Sequence, residues 1–152
     1  MTTLASGTAT IDRSVLGVDE DRRPDEAERP YWTDLPMDGE PVHVSHATAL
    51  VRSAAQAHDA TVTVELGQSP SHSDEGCVLL GEWAYQSGSG EAGIYTLDDK
   101  ELDFTLPSDS QFTLRIWRQG GEIAGKRFRQ LMGVEYPITG LEDYRFLFTP
   151  SN

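Results

Sequence analysis

The chain has 152 residues, with 12 Lys and Arg against 25 Asp and Glu, a net charge of −13 and an isoelectric point near 4.5. Such a surface repels nucleic acid and anionic membrane and favours a basic partner. The single cysteine, Cys77, excludes an intrachain disulfide and suits a reducing compartment.

The length fits one domain. Residues 1–40 read as an acidic, disordered tail. They hold 10 acidic and 4 basic residues, few apolar ones, and a mixed charge run from Gly17 to Glu28 that cannot bury enough surface to offset ordering entropy. The start lacks the basic and apolar blocks of a signal peptide, and no apolar run approaches transmembrane length. A cytoplasmic protein, bacterial in style, is therefore expected. Tyr31 and Trp32 would anchor the tail on the body.

Residues 41–152 carry the folded domain. Val42 and Val44 share one face of an opening strand, and 49–57 is alanine-rich, reading as strand, bulge and loop. Val62, Val64 and Leu66 alternate with Thr61, Thr63 and Glu65, which marks a half-buried strand. After a polar loop, 77–86 is apolar enough for a central strand, with Gly81 marking a bulge and Cys77 a buried, inert thiol. A short strand at 94–97 follows.

From Glu101 to Trp117, Leu102, Phe104 and Leu106 alternate with polar residues. A Pro107–Ser110 turn follows, and Phe112, Leu114 and Ile116 then alternate again. This predicts a hairpin. Residues 118–130 read as a glycine-rich basic loop, and 143–148 as a strand with Tyr144, Phe146 and Phe148 on one face. Seven or eight short strands, with turns about every ten residues, predict an all-β fold, an antiparallel β-sandwich.

No catalytic or metal motif emerges. His43 and His46, three apart in a strand, point to opposite faces, and no cysteine pair supports zinc, so the four histidines read as surface residues. Ser71, His72 and Asp74 are triad residue types, but without a nucleophile elbow they read as loop composition. Acid is unevenly spread: 41–110 carries a net −9, and 111–152 a net +2. Asp98, Asp99, Glu101 and Asp103 cluster at one end of the predicted hairpin, with Asp109 in the next turn.

Several stretches resemble the small competence-protein J family, whose members inhibit DNA-entry nucleases. They are WTD at 32–34, HVSHATALV at 43–51, LDFTLPSDSQFTLRIW at 102–117 and GVEYPITGLEDYRFLF at 133–148. The acidic tail and the glycine-rich loop depart from the family pattern. The resemblance implies a non-enzymatic β-sandwich that masks a nuclease, and no active-site residue carries over.

The expectation is thus an acidic inhibitor or immunity-type protein without cofactor or metal. Asp98, Asp99, Glu101 and Asp109 would oppose basic residues of the partner, and Trp83 would serve as an apolar anchor. The competing readings are a β-sandwich module for carbohydrate or lipid, using Trp83, Tyr85 and Tyr95, and a structural assembly subunit.

Overall fold

The computed structural model describes residues 2–24, 39–68, 77–97 and 99–151. The described residues form ten strands and one helix: β1 (Thr2–Ile11), β2 (Val15–Glu20), β3 (Val42–Ser45), β4 (Thr48–Arg52), β5 (His58–Leu66), β6 (Cys77–Gln86), β7 (Glu91–Thr96), β8 (Lys100–Thr105), β9 (Gln111–Gln119), α1 (Gly121–Leu131) and β10 (Thr139–Pro150). Two five-stranded sheets, ordered β1-β5-β10-β9-β6 and β3-β4-β2-β7-β8, form the expected sandwich. Pairing is antiparallel throughout except between β5 and β10.

The core lies between the sheets. Tyr144, Phe146 and Phe148 of β10 are fully buried, as their alternation requires. The Phe148 ring meets Tyr85, Phe104 and Phe112 at centroid separations of 5.1, 5.9 and 5.9 Å. Edge-on and tilted contacts of this kind add to the apolar burial. Val62 and Val64 of β5 and Leu114 and Ile116 of β9 complete the same layer.

Four expectations are corrected. Residues 2–24 are not a tail: β1 and β2 pair into both sheets. The remainder of the expected tail at 25–38, with Tyr31 and Trp32, lies outside the described residues. The segment 101–117 is not a hairpin. Its two strands belong to different sheets, because the Pro107–Ser110 turn hands the chain from one layer to the other. Residues 77–86 form an edge strand rather than a central one, with Val78 and Leu79 exposed and Cys77 only partly buried. The bulge between Leu79 and Gly81 is present.

The fourth correction is α1, where a loop was expected. Ala124 and Phe128, four residues apart, face inward and form a second apolar cluster with Ala55, Ile138 and Leu141. The helix begins after Gly120, whose φ is +90°. A Cβ there would lie 2.2 Å from the Leu141 carbonyl oxygen, so only glycine makes this corner.

Register places the connections at two ends of the sandwich. The β1–β2 turn, the β4–β5 loop, the start of β8 and α1 share one end, here called the helix end. The Ser87–Gly90 loop and the Asp109 turn share the other, tied by Leu106 N–H to Gly90 O and Asp109 N–H to Gly88 O. β1 lies against β8 along one side of the sandwich and β3 against β6 along the other.

Candidate functional site

At the helix end, a cleft of about 980 Å³ opens between the β1–β5 edge and the segment following α1. Thr10, Ile11, Asp12, His58 and Asp59 line one wall. Met132, Val134, Glu135, Tyr136 and Ile138 line the other. The second wall is unusual for its exposure. Val134 and Tyr136 are 80% and 97% exposed, and Met132 60%. The backbone of 132–138 is held from below by α1, with Met132 N–H donating to Phe128 O and Val134 N–H to Leu131 O, and by Ile138, whose carbonyl accepts from Asp59 N–H. The wall's backbone is therefore tied down while Met132, Val134 and Tyr136 stand in water.

Beneath the cleft lies a buried polar cluster that sequence reasoning missed. His58, expected at the surface, is only 4% exposed. Its Nε2 lies 2.9 Å from Ser53 Oγ and 3.2 Å from Glu142 Oε1. Ser53 Oγ also donates to Glu142 Oε1 and accepts from Ala55 N–H. Ala54 N–H donates to Glu142 Oε2 at 3.0 Å, and Tyr144 Oη to Oε1 at 2.9 Å. Arg118 Nε stands 3.9 Å from Oε2.

Burial alone would push the Glu142 carboxyl up, but bonds from His58, Ser53, Ala54 N–H and Tyr144 outweigh it and hold the group below the usual glutamate range. The same burial, with Glu142 alongside, drives the Tyr144 hydroxyl upward, so Tyr144 stays a donor. With a carboxylate oxygen at Nε2, that nitrogen carries a proton. Nδ1 has no partner among the described residues.

Serine, histidine and glutamate are hydrolase residue types, but their arrangement is not that of a triad. In a triad the two partners bond opposite nitrogens of the imidazole. Here both crowd Nε2, and the serine proton points at the carboxylate. The cluster instead ties the β4–β5 loop to β10.

The residues singled out from sequence are dispersed. Asp99 and Glu101 lie at the helix end beside β1, and Glu101 Oε1 accepts from Thr10 N–H at 3.3 Å. Asp98 lies outside the described residues, as do His72 and Asp74. Asp109 sits at the opposite end, paired with Arg23 at 2.8 Å, and the Arg23 guanidinium holds its carboxyl low. Trp83 belongs to β6 on the far side of the sandwich. It is half-buried against the core and covers Gly81. Asp103 pairs with Lys100 at 2.8 Å. The structure thus brings together Asp99 and Glu101 and separates both from Asp109 and Trp83.

Among the described residues no three His, Cys, Asp or Glu side chains are placed to share a metal ion, and no helix is long and apolar enough to cross a membrane.

An acidic two-sheet sandwich with a helix-supported cleft at one end is the class defined by this geometry. Two solved structures share the fold over nearly their whole length. One is ComJ of Bacillus subtilis, the inhibitor of the DNA-degrading activity of NucA, at TM-score 0.64 and 13% identity, covering 99% of this chain and 98% of ComJ. The other is a protein described as crocagin biosynthetic gene J, at TM-score 0.61 and 12% identity, covering 100% of both chains. No family model matches the chain, and no curated protein matches it. The resemblance to the competence-protein J family is thereby borne out at the level of fold. It takes in the first two strands and α1, the parts whose sequences depart from the family pattern.

Proposed function

We propose that this chain is a non-enzymatic, cytoplasmic inhibitor or immunity-type protein of bacterial style that binds and masks a basic enzyme, specifically a nuclease. The observation that carries the reading is the full-length likeness to ComJ, joined to a net charge of −13. A nuclease active site must attract phosphate and so presents positive charge. An acidic surface steers toward it and competes with its substrate. Asp99 and Glu101 fit this role at the helix end, with Asp98 beside them in the chain. Asp109 would act there only through the long-range field, since it sits at the opposite end and is paired with Arg23. Trp83 would serve as an anchor only for a second contact on the β6 side.

The test is a DNA-degradation assay with basic nucleases recovered from the source cell at low salt. The expected result is stoichiometric loss of activity when the protein is added, with recovery as salt rises. Charge reversal at Asp99 and Glu101 should weaken inhibition at least tenfold. If no basic nuclease is inhibited at low salt, the reading fails, and a small-molecule module becomes the account of the cleft.

A further inference from the structure

We infer that the exposed wall of the helix-end cleft is the docking surface for the basic protein partner, with the Tyr136 side chain inserted into that partner as an anchor. The inference deepens the inhibitor reading above and rests on it. Large apolar side chains scattered singly over a surface are ordinary. Met132, Val134 and Tyr136 are not scattered: all three stand exposed on one wall of one cleft. Apolar groups gathered in this way mark an interaction site. The backbone beneath them is already tied, with Glu135 N–H donating to Leu131 O at 3.0 Å in addition to the bonds from Met132 and Val134. Side chains presented on a tied backbone cost less ordering entropy on association.

The degree of exposure selects the kind of occupant. Small ligands sit in concavities that enclose most of their surface. Tyr136, at 97% exposed, stands clear of the protein, so covering it takes a macromolecule with a hollow of its own. Tyrosine suits an anchor because its ring is large and rigid and has few rotamers to freeze. The charge around the wall then selects the partner's sign. Among the described residues lining the cleft are Asp12, Asp59 and Glu135 and no lysine or arginine. Glu101, bonded to Thr10 N–H, extends this rim. Such a rim repels an anionic bilayer. A second copy would bring the same carboxylates and its own charge of −13 against it. A cationic protein surface around an apolar hollow matches both the rim and the ring. The anchor is thus Tyr136 rather than Trp83, which is half-buried against the core on the β6 side.

The test measures inhibition of DNA degradation by the nuclease recovered in the assay above. Tyr136→Ala should weaken inhibition roughly 30-fold, the scale of a central interface anchor, and Tyr136→Phe, which keeps the ring, should restore most of it. Neither should move the urea midpoint, since the side chain stands in water. The loss in Tyr136→Ala should be alike at low and high salt, whereas the loss on charge reversal at Asp99 and Glu101 shrinks as salt rises.

Inhibition by Tyr136→Ala equal to that by wild type overturns the inference and leaves the inhibitor reading standing. If no nuclease is inhibited, that reading falls alone, and nitrogen-15 NMR of the full chain decides the inference. The probes are two peptides of equal charge, acetyl-Lys-Leu-Lys-Leu-Lys-amide and acetyl-Lys-Ser-Lys-Ser-Lys-amide. Saturable shifts at Asp12, Asp59, Met132, Val134 and Tyr136, stronger with the leucine peptide and lost in Tyr136→Ala, support it. Equal binding of the two peptides, or shifts elsewhere, overturn it. So do shifts of these residues on concentrating the protein alone, which would mean that a second copy covers the wall.

Discussion

The hydrogen-bond network around Glu142 sets an expectation for acid stability. Its folded carboxyl titrates below the unfolded one, so its contribution is present above the ordinary glutamate range and is lost as pH falls through the folded value. Glu142→Gln should cost about 3 kcal/mol near neutrality, the scale of a broken buried charge network. The gap from wild type should close on acidification, as read by urea unfolding at several pH values. A gap independent of pH would mean that packing rather than charge is responsible. Tyr144→Phe removes one donor to the same carboxylate and should cost less, about 1.5–3 kcal/mol. None of this was legible from sequence, because Ser53, His58 and Glu142 are brought together only by tertiary structure, and a lone histidine between Ala57 and Asp59 carries no signal of burial.

At the level of elements, legibility followed exposure. β10 and β5 were readable because one face is buried and polar residues alternate with the core set. β1 was not: it is an edge strand with only Ala9 and Ile11 fully buried, so its sequence looks like a solvated tail. β2 was missed for the opposite reason. Val15, Leu16, Gly17 and Val18 are all buried, and burial on both faces erases the alternation. The helix was hidden by Gly120, Gly121 and Gly125, residues that weaken helix propensity. Yet Gly125 allows the close approach of the Ala54 carbonyl, 3.0 Å from where a Cβ would stand.

Two outcomes follow for these elements. A chain beginning at Pro41 should lose cooperative unfolding and aggregate, because β5 and β7 would be left with unpaired edges; circular dichroism and size-exclusion chromatography would detect it. A folded, monomeric 41–152 fragment would restore the tail reading. Phe128→Ala should cost about 3–5 kcal/mol, as expected for a large buried aromatic. It should also release the 132–138 wall, seen as faster amide exchange there than in β9.

For the whole molecule, charge governs long-range behaviour. At −13 its field extends beyond any single contact, and the Debye length falls from about 10 Å at 0.1 M salt to about 3 Å at 1 M. Association with a basic enzyme should therefore slow steeply with salt while dissociation changes little, a split that stopped-flow kinetics would resolve. The acidic character and sandwich class were legible from composition and alternation. The grouping of acids was not, because the turn after β8 carries Asp109 to the end opposite Asp99.

The parallel pairing of β5 with β10 has a practical consequence. β1 starts opposite Leu66, and β10 passes the same residue at Phe148, two residues before its end, so the start of β1 and the end of β10 lie at one pole, away from the cleft. A bead, dye or surface coupled through either terminus would present the same face outward.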